Sequence, residues 1–381
     1  MYLDSTATTK PTDLAIDSFV HINSDKWHNP STTMSEGGAE ARRVIEHARE
    51  SIAKNIGASP DKIIFTSGST EGANMIIKGL IPRGHEQQWG IICSQIEHPA
   101  VDETCKYMAK CGVDTRFLPV NSNGEVDLVL LEVFLEWLQD KDYILVCIGD
   151  GNNETGVIQN TQRVFEIVHS HPGAYLFTDM TQSFAHAKKF KVDDLGYDFA
   201  CASAHKFGGL KGSGFIYAKY PTLLTPLLHG GGQESRHRSG TENVAGIYSM
   251  ALQFDEICKA RDHGDLDYVE KLRNTLIAKL TENFGDKITI NSGANNLPTV
   301  LSVTLHGQDA NQAVTMLELQ DIQVSAGSAC HTGDNRPSRV LKAMGLSDDD
   351  ARSTIRVSLA PETSASDINK FVLALRRLLG E

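Results

Sequence analysis

The sequence predicts an α/β protein in which helices cover both faces of a mainly parallel β-sheet. Short apolar runs alternate with longer segments in which apolar residues recur every three or four positions. The short runs have almost no polar positions, which is typical of parallel strands buried on both faces. The chain has 381 residues, and because domains usually have about 100–200 residues, it is expected to form two domains, or at most three.

The first part of the chain carries the clearest alternation. Residues 35–56 predict a helix, because Ala41, Val44 and Ile52 lie on one apolar face and Gly57 then stops the pattern. The elements that follow are a strand at 63–65, a helix at 69–80, a strand at 90–93 and a helix at 99–110. Segments 113–118, 128–138, 143–148, 164–169, 174–177 and 199–202 continue the alternation, and 215–218 adds a strand after a glycine-rich turn.

The pattern changes near residue 255. Residues 245–283 predict a long helical stretch, and shorter α and β elements follow it. The chain then ends in an amphipathic helix with Ile368, Phe371 and Leu375 on one stripe. The predicted organisation is a large domain at 15–255 and a smaller α+β domain formed by 1–14 and 256–381.

Composition excludes several classes of protein. Lysine and arginine number 36 against 48 aspartate and glutamate, so the formal charge is 36 − 48 = −12. This acidic excess argues against nucleic-acid binding, which normally needs a basic face. Hydrophobic residues at 40% and charged residues at 22% exclude a disordered chain. We find no apolar run near the ~18 residues of a membrane span, and no signal peptide, so we expect a cytoplasmic protein without a membrane partner.

The seven cysteines show no metal-binding pattern. None forms a C-x-x-C pair and no histidines cluster around them at zinc spacing, so no metal site is predicted. Cys147 and Cys201 lie in strand-like runs and are expected to be buried. Cys330 differs, because small residues precede it and a polar run follows it. That composition predicts a loop, and a loop thiol is a candidate for chemistry.

Polar residues follow several of the predicted strands, where ligands bind in parallel sheets. Segment 66–72, Thr-Ser-Gly-Ser-Thr-Glu-Gly, could form a phosphate cradle at a helix start or simply cap that helix. Asp179 could hold a ring N–H⁺ or a metal, or cap a helix. Lys206 could form a Schiff base or be a surface charge, and 152–156 could supply amide donors or an ordinary turn. Together these groups supply what pyridoxal phosphate needs.

With these residues, the sequence resembles the cysteine desulfurases of the class-V aminotransferase family, which have the fold-type-I pyridoxal phosphate architecture. The resemblance covers essentially the whole chain, from Tyr2-Leu3-Asp4 to 355–359. The blocks between these ends are 29–31, 65–68 with 70–71, Glu97-His98, 152–156, Asp179 with 181–183, His205-Lys206, 230–234, 238–241 and 325–330.

The resemblance implies a role for each candidate residue. Lys206 would bind pyridoxal 5′-phosphate covalently, with Asp179 on the pyridine nitrogen and Gln182 on the ring oxygen. His98 would stack on the ring and either assist proton transfer or only stack. The phosphate would be held by Ser69, Thr70, Ser203 and His205, and by Thr241 from a neighbouring subunit. Asn153 would contact cofactor and substrate, Arg356 would bind the substrate carboxylate, and Cys330 would be the nucleophile.

The implied function is conversion of L-cysteine to L-alanine by a homodimer. Sulfur would remain on Cys330 as a persulfide and pass to an acceptor, such as an iron–sulfur scaffold or a sulfur carrier. The sequence Ala329-Cys330-His331 also resembles selenocysteine lyases. A selenocysteine lyase, another class-V enzyme such as an aminotransferase, and a non-enzymatic sulfur-relay scaffold are therefore the alternatives.

Overall fold

The computed structural model describes residues 1–187, 191–192, 196–327 and 336–380, so Cys330 and His331 lie outside the described residues. In these ranges, the larger sheet has seven strands in the order β1-β7-β6-β5-β4-β2-β3. Its strands are β1 Ile63–Thr66, β2 Trp89–Ser94, β3 Asp114–Leu118, β4 Tyr143–Cys147, β5 Ala174–Asp179, β6 Phe199–Ser203 and β7 Gly214–Ala218. Only β7 runs antiparallel to its two neighbours, so the predicted mainly parallel sheet is confirmed.

The helices predicted within residues 35–138 agree with the structure to within one residue, whereas the helical stretch predicted at 245–283 is two helices, 244–262 and 265–284. The segment predicted at 35–56 is a helix from Glu36, ended by Gly57 at a left-handed φ of 73°. The helices are α1 Asp13–Asp25, α2 Glu36–Ile56, α3 Ser69–Leu80, α4 Pro99–Lys110, α5 Leu128–Trp137, α6 Thr161–His169, α7 Ser183–His186, α8 Val244–Asp262, α9 Asp265–Phe284, α10 Ala310–Glu318, α11 Arg339–Ala343, α12 Asp348–Arg352 and α13 Ala365–Leu378.

Both faces of the large sheet are buried, because successive strand residues point to opposite sides. On β4, Ile144 and Val146 belong to a core that includes residues of α2, α5, α6 and α8. Leu145 and Cys147 belong to the opposite core, which includes residues of α3 and α4. This double burial explains why the strands read as continuous apolar runs. The expected burial of Cys147 and Cys201 is confirmed, since both are fully inaccessible.

A second, antiparallel sheet has its own core. Its order is β10-β11-β9-β8, with β8 Ile288–Ile290, β9 Val300–Leu305, β10 Ser325–Ala326 and β11 Thr354–Ser358. Leu3 is fully buried in this core together with residues of α9, α10 and α13. The helix α8 runs continuously through residue 255, and the domain limits stay a prediction. None of the described helices is long and apolar enough to cross a membrane.

Candidate active site

A cavity of about 450 Å³ lies where the carboxyl ends of β1, β2, β4, β5 and β6 meet. Thr241 is exposed and does not line this cavity, and Cys330 lies outside the described residues. The cavity brings together ten residues that the sequence analysis selected, which are Ser69, Thr70, His98, Asn153, Asp179, Gln182, Ser203, His205, Lys206 and Arg356.

Lys206 is held by the N-terminal segment of the chain. It follows β6 in a short 3₁₀ turn, Ala204–Lys206. Its Nζ donates to the backbone oxygens of Thr6 at 2.7 Å and Ala7 at 2.9 Å. The amide of Thr9 also donates to His205 O at 2.9 Å. Thr6 and Ala7 have no role predicted from the sequence, because this segment has neither helical nor strand periodicity.

Asp179 is the last residue of β5 and is only 8% exposed. Its Oδ1 accepts hydrogen bonds from the backbone amide of Thr181 at 3.0 Å and from the Thr181 hydroxyl at 2.5 Å. Both bonds use one oxygen, so the second carboxylate oxygen can face a ring N–H⁺. Nearby, Gln182 Nε2 donates to Thr6 O at 3.2 Å, while its buried Oε1 has no partner in the described part of the chain.

The start of α3 has the features of an anion cradle. Gly68 precedes the helix, and no side chain caps the first turn. Backbone N–H groups at such a helix start, with the positive end of the helix dipole, favour phosphate. Gly68 has φ of 152°, and a Cβ there would lie 3.2 Å from the Ser203 hydroxyl oxygen. The Ser/Thr helix cap that the sequence left open for segment 66–72 is not formed, because the N-cap residue is Gly68.

Two histidines border the cavity in neutral form. His98 is the N-cap residue of α4, and its Nδ1 accepts the Ala100 amide at 3.1 Å, which places the proton on Nε2. Burial lowers the pKa of His98. Burial also lowers the pKa of His205 to about 4, helped by the charges of Lys206 and Lys211. Both rings can therefore donate or accept near pH 7 without carrying charge.

Arg356 is almost completely buried, with 2% exposure. Its Nη2 donates to Asp4 Oδ1 at 2.6 Å and to Ser325 Oγ at 3.2 Å, and its Nη1 donates to Asn153 O at 3.1 Å. Asp4 Oδ2 in turn accepts from Ser325 Oγ at 2.7 Å. These contacts fix the guanidinium group at the cavity and connect Asn153 to it through its carbonyl.

Glu97 is a cavity residue to which sequence reasoning gave no separate role. Its Oε1 accepts the Gly149 amide at 2.8 Å. Burial raises the pKa of Glu97 to about 8, with the negative charge of Asp179 adding to the effect. Glu97 therefore carries a proton near neutral pH, which only its tertiary surroundings could indicate.

Comparison with known proteins agrees with this arrangement. A family described as aminotransferase class-V matches residues 1–371. This chain belongs to that family. "Cysteine desulfurase IscS" of Dictyoglomus turgidum is 36% identical over 379 residues, covering 100% of this chain and 94% of the relative. "Putative cysteine desulfurase IscS 1" of Bacillus subtilis is 35% identical over 370 residues, covering 97% and 95%.

Solved structures of the family agree as well. A structure described as a NifS-like protein has a TM-score of 0.91 and 34% identity, and covers 100% of this chain and 99% of that chain. The structure "SspA in complex with cysteine" has a TM-score of 0.80 and 30% identity, with 95% and 99% covered. The resemblance and the fold-type-I architecture predicted from the sequence are thereby confirmed.

Members of the class-V family that resemble this chain are pyridoxal phosphate enzymes, which confirms the predicted cofactor. The chemical groups that line the cavity also fit the cofactor. It offers a primary amine, a buried carboxylate, a helix start with no side-chain cap and a glycine where a Cβ would crowd the cradle. Among the described residues, no group of three or more potential metal ligands is found.

Proposed function

We propose that this protein is a pyridoxal phosphate-dependent cysteine desulfurase that converts L-cysteine to L-alanine. The observation that carries the proposal is the single cavity that joins Lys206, Asp179 and Arg356. The amine, the acid and the carboxylate-binding cation come from segments far apart in the chain. Similarity to cysteine desulfurases over the full length supports the same reaction.

Bound pyridoxal phosphate would supply an electron sink for the bonds at the substrate's α-carbon. Lys206 would hold its aldehyde carbon, Asp179 its pyridine nitrogen and Gln182 its ring oxygen. The start of α3, with Thr70, Ser203 and His205, would hold the phosphate. This division of roles is the one that the family resemblance implies, and the cavity that these residues share supports it.

The remaining residues would bind substrate and move protons. Arg356, fixed by Asp4 and Ser325, would bind the α-carboxylate through charge-assisted hydrogen bonds, next to Asn153. Lys206 would take and return the proton at the α-carbon, since its amine lies in the same cavity. His98 would stack on the cofactor and donate from Nε2, the nitrogen left protonated by the Ala100 bond.

Cys330 would remove the sulfur. Its thiolate attacks the substrate sulfur, an S–S bond forms and the carbon–sulfur bond breaks. The electron pair stays with carbon, which takes up a proton to give alanine, and the enzyme keeps the sulfur as a persulfide. A following transfer to an acceptor protein, a scaffold or sulfur carrier, would restore the thiol. Iron–sulfur cluster assembly is the proposed use of this sulfur.

Product analysis tests this function. With a thiol reductant present to reduce the Cys330 persulfide, wild-type enzyme given cysteine should form alanine and sulfide in equal amounts, whereas an aminotransferase would form a keto acid. Cys330→Ser should keep the cofactor absorbance and lose alanine formation. The matched control is Cys111→Ser, because Cys111 is exposed and lies outside the cavity. Full activity of Cys330→Ser on cysteine would refute the nucleophile. Activity of that variant on selenocysteine alone would favour the lyase alternative.

We propose further that the enzyme acts as a homodimer that shares its sites. The loop at 230–242 is attached beside the cavity by two ion pairs. Its Glu234 forms a buried ion pair with Arg49, with both N–O distances at 2.8 Å. Its Arg238 Nε donates at 2.8 Å to Glu71, a cavity residue. This support leaves Thr241 exposed, available to the cofactor phosphate of a second copy.

Mixing two variants that each lack one group of the shared site tests this proposal. Lys206→Ala lacks the amine and Thr241→Ala lacks the contributed hydroxyl. In a mixed dimer, one site has its own Lys206 and an intact Thr241 from the partner, so cofactor affinity at that site should recover. Sedimentation at the assay concentration should show a dimer. A fully active monomer would refute the proposal. The cytoplasmic location expected from the sequence stays a prediction.

A further inference from the structure

A chain of short hydrogen bonds runs from the phosphate cradle to the acid of the site. The hydroxyl of Ser69, the first residue of α3, lies 2.5 Å from the hydroxyl of Thr181. The Thr181 hydroxyl lies 2.5 Å from Asp179 Oδ1. Thr181 thus connects Ser69 to Asp179, although Ser69 and Thr181 are 112 positions apart in the chain.

The direction of these bonds is fixed by Asp179. Its Oδ1 also accepts the backbone amide of Thr181 at 3.0 Å, and a backbone N–H can only donate. Oδ1 is therefore an acceptor, and the Thr181 hydroxyl donates its single proton to Oδ1. The bond between the two hydroxyls then needs the proton of Ser69. A hydroxyl has a single proton, so Ser69 has none left to donate towards the cavity.

We propose that the side chain of Ser69 is a positioning group for Asp179, acting through Thr181, rather than a donor to the cofactor phosphate. Ser69 would contribute to the phosphate through its backbone N–H at the start of α3, where no side chain competes for the bond. The chain Ser69–Thr181–Asp179 holds one carboxylate oxygen and so orients the other towards the pyridine nitrogen. This inference rests on the proposed cofactor site.

The surroundings of the three residues favour such a role. Asp179 is only 8% exposed, so water cannot easily replace a hydrogen bond that its carboxylate loses. The thiol of Cys201 lies against the same group, and burial raises the pKa of that thiol, with the nearby charge of Asp179 adding to the effect. Cys201 on β6 is the register partner of Asp179 on β5, so the sheet fixes the position of the Asp179 backbone. The Thr181 hydroxyl connects Asp179 to Ser69 at the start of α3, and the Cys201 thiol lies beside all three residues.

Binding of two ligands to the apoprotein tests the inference without any turnover. Pyridoxal 5′-phosphate carries the phosphate and pyridoxal does not, and both carry the ring nitrogen. Ser69→Ala should weaken both by a similar factor, about threefold to tenfold, as expected for one hydrogen bond. Ser69→Ala should add nothing in a Thr181→Val background, because Thr181 carries the effect. Thr70→Ala is the phosphate control and should weaken pyridoxal 5′-phosphate alone.

The outcomes separate the possibilities. If Ser69→Ala weakens pyridoxal 5′-phosphate but not pyridoxal, the hydroxyl serves the phosphate and the inference is wrong. Additive effects of Ser69→Ala and Thr181→Val would also overturn it. Thr181→Ser keeps a hydroxyl and should restore the coupling lost in Thr181→Val. If Thr181→Val fails to fold, the two-ligand comparison on Ser69→Ala still decides. A wild-type apoprotein that binds neither ligand would instead refute the cofactor site itself.

Discussion

Replacement of Arg356 by lysine is the sharpest test of the substrate site. Arg356 makes three hydrogen bonds to protein, to Asp4, Ser325 and the carbonyl of Asn153, at 2.6–3.2 Å. Lysine keeps the positive charge, so Asp4 is not left as an unpaired charge beside a buried strand. Lysine lacks the planar fork that can reach protein acceptors and a substrate carboxylate together. The substitution therefore tests geometry while conserving charge.

The expected effect is on substrate binding. Loss of a hydrogen bond to a charged group costs roughly 1.5–3 kcal/mol, which corresponds to about a 10- to 150-fold rise in the KM for cysteine. Steady-state kinetics of alanine formation give KM and kcat separately, and the cofactor absorbance should be unchanged, since Arg356 is assigned to the substrate alone.

The matched control is Arg352→Lys. Arg352 is in α12, two residues before β11, and its side chain is 39% exposed. Its contacts to Asp348 and Asp349 are long, at 3.9 Å, so its replacement should leave KM unchanged. A KM for Arg356→Lys within twofold of the wild type would mean that Arg356 has only a structural role. It would refute the proposal that Arg356 binds the substrate carboxylate.

Three further predictions concern the cofactor, a buried proton and a buried ion pair. Lys206→Ala should lose the absorbance near 400 nm, and borohydride reduction of the wild type should label Lys206; a label on another lysine would contradict the assignment. The pKa of Glu97 is raised from 4.5 to about 8 in the folded protein, so between these pH values the unfolded chain has lost a proton that the folded chain keeps. The free energy of unfolding of the wild type should therefore fall as the pH rises through that interval. Glu97→Gln should remove this pH dependence from the unfolding free energy, and parallel curves would contradict the raised pKa. Glu234→Gln should cost roughly 3–5 kcal/mol in urea unfolding, because Arg49 would lose its buried carboxylate; a loss below 1 kcal/mol would contradict a tightly paired Arg49.

The sequence by itself determined the large sheet, the limits of α2 to α5 to within one residue, and the main chemistry of the site. The strands could be predicted because burial on both faces leaves a local mark, a run of apolar residues, as at β4. Asp179 and Lys206 could be selected because each follows such a strand, and the carboxyl ends of parallel strands converge at one edge. These inferences needed only short-range periodicity and the rule for where ligands bind.

Only the tertiary structure decided which groups support that chemistry. Asp4 and Arg356 are 352 positions apart, and Thr6 and Lys206 are 200 apart, so no local pattern relates them. Their contacts form where the N-terminal segment meets both β11 of the small sheet and the turn after β6 of the large sheet, which depends on the packing of both cores. The proton on Glu97 has the same origin, because its pKa depends on desolvation by neighbours that meet only in the folded chain. Periodicity records how each segment is buried, but it does not record which distant segments meet.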